Sequence, residues 1–215
     1  MQKEKILIYG AGGFGREIAC LINAININER RWDFIGFIDD GMPAGSKNDF
    51  GTVLGNIDFL NSYPNEVAVA ISVASPKSLK WITESVTNNK VWYPNLIAPD
   101  TKFHDAASLQ MGMGNILFFS SRISCNVSVG DFNIINSLAS LGHDARLGDR
   151  NVLNPQVRIS GNCIIGNDNF FGMNSIVLQG LKIGNNTRVG VSAVVLRNTV
   201  DGHSYFGNPA RRIRS

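Results

Sequence analysis

From Met111 onward, every sixth residue is apolar: Met111, Leu117, Ile123 and so on, without a break, to Val195. The run has 15 members in a chain that is 44% hydrophobic. Chance would give such a run about five times in a million for one frame, and about three in a hundred thousand over six frames. A period of six matches neither an α-helix nor an alternating hairpin sheet. It matches a parallel β-helix, in which each short strand places one apolar residue in a prismatic core and ends in a tight turn. Three hexads make a coil of roughly 18 residues, and the run spans about 4.7 coils, a prism roughly 20 Å tall. Gly often follows the apolar residue, as at Gly112, Gly130, Gly142, Gly148 and Gly166, and small or turn-prone residues stand four places after it, as at Ala139, Asn151 and Cys163. Glycine and asparagine suit the turn backbone.

The first ninety-odd residues have a different pattern. Residues 5–9 read as a buried strand, Gly10-Ala11-Gly12-Gly13-Phe14-Gly15 follows at once, and Arg16–Ile22 has helical apolar spacing. A strand, a glycine-rich turn and a helix form a phosphate-cradling unit: glycine lets backbone N–H groups approach a ligand, and the helix N-terminus favours negative charge. A second strand, residues 34–38, ends in Asp39-Asp40, where a carboxylate usually holds a ribose hydroxyl. A third strand lies at residues 67–72. Only one mononucleotide half fits in this length, which argues against a nicotinamide dehydrogenase and for a mononucleotide or nucleotide-sugar. The expected domains are a Rossmann-like α/β unit over 1–97 and a β-helix with a C-terminal tail over 98–215.

Composition excludes other classes. The net charge of +3, from 20 basic and 17 acidic residues, gives no nucleic-acid signature. No run of eighteen apolar residues suggests a membrane span. Three cysteines, Cys20, Cys125 and Cys163, lack CxxC spacing, so a reducing cytoplasm is expected, with neither a structural disulfide nor a zinc site. Of the three histidines, His104 and His203 read as surface or capping residues. His143 follows a core position by two residues, so it sits near a turn. Neutral imidazole accepts a proton near pH 7, and Asp144 is the nearest carboxylate to fix its tautomer. Gly142 and Gly161 are turn positions with an N–H for a developing oxyanion. Cys163 reads as structural.

The order GAGGFG, GFIDD, NLIAPD, hexads with Gly142-His143-Asp144, then YFGNPARRI, resembles the hexapeptide-repeat sugar acyltransferases of the sialic-acid O-acetyltransferase type. That group includes bacterial nucleotide-amino-sugar N-acetyltransferases. The resemblance implies a left-handed coil, a homotrimer, and acyl transfer from acetyl-CoA to an amine or hydroxyl of a sugar or nucleotide-sugar, with no metal. It implies His143 as general base with Asp144 and a nucleotide-sugar site at Gly10, Ala11, Gly12, Gly13, Phe14, Asp39 and Asp40. CoA contacts are implied at Gly142, Gly161, Met173 and Val191. Arg211 and Arg212 either meet the CoA 3′-phosphate or form a solvated tail. Two positions depart from the family pattern. Val152 stands where many members carry a second histidine, and Lys77 and Lys80 occupy a segment where many carry an arginine. Val152 is also the feature that favours the alternative, a non-catalytic nucleotide-sugar-binding β-helix trimer.

Overall fold

The computed structural model describes residues 3–213. It divides into two compact units, one comprising the chain to Ala74 with Ser78–Pro99, the other Ser75–Lys77 with the chain from Asp100.

The first unit is an α/β sheet. Its elements are β1 (Glu4–Tyr9), α1 (Gly13–Glu29), β2 (Trp32–Ile38), β3 (Lys47–Asn48), β4 (Gly51–Gly55), α2 (Ile57–Asn61), β5 (Val67–Ile71), α3 (Pro76–Ser85) and β6 (Val91–Trp92). The sheet order is β3-β4-β2-β1-β5-β6, parallel except for the β3–β4 hairpin. The chain order reverses at β1, which lies between β2 and β5, so the glycine-rich turn leaves β1 at the topological switch point of an open α/β sheet. β5 is buried along its whole length and β1 from Ile6 to Tyr9, as expected of strands in a parallel sheet.

Two of the glycines in that turn are required by packing. Gly10 has φ +106°, and a Cβ there would lie 2.4 Å from Ser72 Oγ; a Cβ on Gly15 would lie 2.0 Å from the Gly10 carbonyl oxygen. That approach lets α1 lie close to β1. Gly15→Ala is therefore expected to destabilise the unit by about 2–4 kcal/mol. Hydrogen exchange checks it: β1 and β5 amides should lose protection while those of the second unit keep theirs.

The second unit is the left-handed parallel β-helix expected. Fifteen two-residue strands run from Gln110–Met111 to Val194–Val195, one per hexad. The first twelve each pair with the strand 18 residues on, as in Ile116↔Ile134↔Val152↔Phe170, Arg122↔Ser140↔Arg158↔Ile176 and Gln110↔Ser128↔Arg146↔Ile164. Of the 15 apolar positions, all but Met111 are buried. A second buried column fills one edge of the prism with asparagine: Asn115, Asn133, Asn151 and Asn169. Each side-chain oxygen accepts the backbone N–H one coil later, at 2.7–3.1 Å, ending on Thr187. The ladder satisfies the buried side-chain oxygens and the backbone N–H groups they meet, which would otherwise be costly to bury; the Asn169 amide nitrogen has no partner among the described residues.

The turns differ from the sequence reading in one respect. The left-handed residue stands three places after each core position, at every turn from Gly114 to Ser192, and it is glycine only at Gly114 and Gly180. The glycines directly after the core residue serve close approach instead. Gly112, Gly130, Gly148 and Gly166 stand one coil apart, and a Cβ on any of them would lie 2.0–2.5 Å from the side-chain oxygen of Asp131, Asp149, Asn167 or Asn185 in the following coil. A C-terminal hairpin, Ser204–Phe206 with Arg211–Ile213, closes the unit. Arg211 and Arg212 on it are exposed.

Candidate active site

Leu141 ends its strand inside the prism, and Gly142-His143-Asp144 turns the corner toward the strand Arg146–Leu147. Asp144 is the left-handed residue, φ 60°, and its N–H donates to the Cys125 carbonyl at 3.0 Å. The turn projects both side chains outward, leaving His143 48% and Asp144 45% exposed. His143 Nδ1 meets Asp144 Oδ2 at 2.7 Å. The other carboxylate oxygen, Oδ1, accepts the Asn126 side-chain amide at 3.3 Å. These contacts, the His143 hydrogen bond first, hold the Asp144 carboxyl below the usual carboxylate range. The stability they contribute is present above the unfolded carboxyl's pKa and is lost as pH falls through the lowered folded value. Asp144 is therefore ionised at neutral pH. An ionised carboxylate only accepts, so it keeps a proton on Nδ1 and leaves the Nε2 lone pair open.

The ring lies against the next coil. A Cβ on Gly161 would come within 2.5 Å of Nε2 and 2.6 Å of Cε1. Glycine at 161 therefore makes the seat for the imidazole. The two glycines in question differ in their amides. Gly142 N–H is committed to the Ile159 carbonyl at 2.8 Å, whereas Gly161 N–H has no acceptor among the described residues. Gly161 thus remains the available oxyanion donor of the two.

The four residues expected to meet CoA fall on two corners of the prism. Gly142 and Gly161 share the corner of His143, between the sheets of Ser140 and Arg146. Met173 and Val191 stack on another corner, between the sheets of Phe170 and Ile176, and both are exposed. Val152 is a buried strand residue between Ile134 and Phe170 and brings no polar atom to any turn. Cys163 is buried, with Sγ 3.2 Å from the Leu178 carbonyl, and burial pushes its thiol pKa up. His104 Nδ1 meets Ser124 Oγ at 3.4 Å and His203 Nδ1 meets the Asp201 carbonyl at 2.7 Å. No group of three or more metal-ligating side chains comes together among the described residues. Asn126 is the residue that the sequence reading passed over. It stands 18 residues before Asp144, and stepping back one coil from the carboxylate, as one steps forward from His143 to Gly161, would have found it.

In the α/β unit, Asp39 and Asp40 are both engaged. Asp39 accepts the N–H groups of Ala11 at 2.8 Å, Gly41 at 2.9 Å and Met42 at 3.0 Å. Asp40 accepts the Ile57 N–H at 3.0 Å and the Tyr9 hydroxyl. Burial, then Asp40, raises the Tyr9 pKa, so the phenol stays protonated. The two aspartates thus tie the glycine turn and β1 to the loop after β2, and they also line a pocket of about 440 Å³ with Met42, Pro43 and Asn56. Gly12 and Gly13 begin α1, whose first turn has no acidic residue and whose N-cap, Gly12, has no side chain to accept from it. A Cβ on Gly12 would meet nothing within 4 Å, and on Gly13 only the tip of Arg16 at 3.9 Å. Packing explains Gly10 and Gly15; open space at a helix N-terminus surrounds Gly12 and Gly13.

Residues 5–86 match the family model of the PglD N-terminal domain. No curated protein matches the chain. Among solved structures, the acetyltransferase domain of PglB from Neisseria gonorrhoeae FA1090 in complex with acetyl coenzyme A is 28% identical, with 99% of this chain and 100% of that one covered and a TM-score of 0.87. WeeI from Acinetobacter baumannii AYE is 26% identical over 98% and 100% of the two chains, TM-score 0.87. PerB from Caulobacter crescentus, in complex with CoA and GDP-perosamine, shares the fold at 22% identity over 98% and 97%, TM-score 0.86. The chain is thus a close structural homologue of the acetyltransferase domain of PglB and of WeeI over nearly its whole length.

Proposed function

We propose that this chain transfers an acetyl group from acetyl-CoA to the amino group of a nucleotide-linked sugar, with His143 as general base. The observation that carries the reading is the His143–Asp144 pair, outward-facing, with no hydrogen bond at Nε2 among the described residues and the Gly161 backbone against the ring. The likeness to an acetyltransferase domain bound to acetyl-CoA supports the donor, and the match to the PglD N-terminal domain family supports the two-unit plan. His143 Nε2 accepts the amine proton as nitrogen attacks the thioester carbon, and Asp144 stabilises the resulting imidazolium. The Gly161 N–H donates to the carbonyl oxygen as it gains charge. When the C–S bond breaks, the imidazolium returns the proton and CoA leaves as the free thiol. Every proton in this cycle moves through one ring nitrogen.

The β-helix units act as a cytoplasmic homotrimer in this proposal. Met173 and Val191 stand on a different corner from His143, so one chain cannot place all the expected CoA contacts together. A threefold assembly brings the second corner of one subunit to the first corner of its neighbour. A thiol-release assay with acetyl-CoA and a panel of amino-sugar nucleotides tests the reading. Release with at least one acceptor is expected. Binding of nucleotide-sugar by calorimetry, with no transfer and no affinity for acetyl-CoA, would instead support the sensor that Val152 favours.

The nucleotide part is held at the turn of Gly12 and Gly13. Gly12→Ala adds a methyl group where nothing else lies within 4 Å. Stability is expected to change by no more than about 0.5 kcal/mol. The nucleotide-sugar Kd is expected to rise about tenfold or more, because the methyl group occupies the approach to the helix N-terminus. Calorimetric titration of the variant checks this, and an unchanged Kd would place the phosphates elsewhere.

A further inference from the structure

We infer that Asn126 is a positioning residue for the transfer reaction: its side-chain amide clamps the Asp144 carboxylate in the orientation that keeps the His143 proton on Nδ1. This rests on the proposed role of His143. The two carboxylate oxygens have different partners, Oδ2 with His143 Nδ1 at 2.7 Å and Oδ1 with Asn126 Nδ2 at 3.3 Å. A carboxylate held at both oxygens cannot rotate without breaking a contact. Asp144 is 45% exposed, so without the second contact its torsion is set only by the imidazole and water.

The backbone builds the clamp. Asn126 and Asp144 occupy the left-handed position of successive turns on one corner, with φ 54° and 60°, so the coil repeat stacks their side chains. Asn126 is itself anchored: its N–H donates to Ser108 Oγ at 2.8 Å, and that hydroxyl donates to the Asp105 carbonyl at 3.1 Å. Asparagine tolerates the left-handed region and presents an N–H₂ toward the next coil. Stacked left-handed residues also pair elsewhere, Asn174 with Ser192 at 3.3 Å and Arg150 with Asp168 at 2.6 Å. Among the described residues, only at Asp144 does the stacked acceptor reach a histidine ring. The other titratable or charged side chains near this corner are the Cys125 thiol on the coil below and the Arg146 guanidinium two residues further on, and among the described residues neither hydrogen-bonds the Asp144 carboxylate.

Two substitutions separate positioning from folding. Asn126→Gly keeps the left-handed backbone and removes the amide; Asn126→Asp keeps the shape and replaces the donor with an acceptor. The chain has three histidines, so ring ¹⁵N spectra can be assigned. Both variants are expected to keep the wild-type circular dichroism and Tm. The Nδ1–H tautomer of His143 should lose population, and kcat should fall about tenfold with KM within about twofold. Unchanged His143 ring shifts in both variants would overturn the inference. His143→Ala, assayed in parallel, tells the two failures apart. If it is inactive while both Asn126 variants match wild type, the positioning role alone falls; if it is fully active, the general-base reading falls with it.

Discussion

His143→Ala is expected to lower kcat by about 10²–10⁴-fold, the usual contribution of a positioned general base, and to leave the coil intact. The side chain is about half exposed at a turn, and removing it opens no cavity. The substitution deletes the imidazole and leaves the Gly161 N–H in place, so residual transfer measures what positioning and the oxyanion donor achieve alone. The pH profile of the wild type carries further information. Asp144 is held below the usual carboxylate range and stays ionised across the working range. Titration of Asp144 therefore contributes no loss of rate near neutral pH. Steady-state rates with acetyl-CoA and a responsive amino-sugar nucleotide, with Tm measured on the same samples, check the prediction. Wild-type kcat in the variant would remove His143 from the chemistry.

The hexad period made the core of the coil readable from sequence because each core position is a purely local demand: one apolar side chain per short strand. The turn backbone was less readable. The left-handed position holds Phe132, Leu138, Arg150 and Gln156 as well as asparagine and aspartate, residues with no preference for that region. Closure of the coil imposes the conformation there against local propensity. The glycines after the core residues stand out in the sequence, but the cause of Gly112, Gly130, Gly148 and Gly166 lies one coil away, in a side-chain oxygen 19 residues along the chain. The His143–Asp144 pair was legible because its members are adjacent. Its support was not, because Asn126 and Gly161 approach it only through the coil repeat. The aspartates after β2 were found as a pair at a strand end. Their engagement with Ala11, Tyr9 and Ile57 depends on how the following loop folds back, which no short-range pattern announces.

Gly161→Ala is expected to cost about 10²-fold in kcat with little change in stability, since a displacement of roughly 1 Å at a reacting group is enough for that loss. A Cβ at 161 would lie 2.5 Å from His143 Nε2, far inside contact distance. Gly161 is not in the left-handed region, so alanine suits its backbone. The clash falls on a half-exposed side chain that can swing into solvent, and the fold is spared. The imidazole cannot swing and keep its place, because Nδ1 is tied to Asp144 at 2.7 Å; moving the ring breaks that bond or carries Nε2 away from the 161 amide. Gly142→Ala is the contrasting case. Its Cβ would lie 2.5 Å from the Gly161 backbone nitrogen and 2.6 Å from the Ser160 carbonyl carbon. Backbone inside a coil has nowhere to move, so that variant should lose stability as well as activity. Tm and kcat measured for both variants separate the outcomes. If Gly161→Ala matched wild type in kcat, the ring would have a second productive seat, and the glycine at 161 would owe its presence to something other than the imidazole above it.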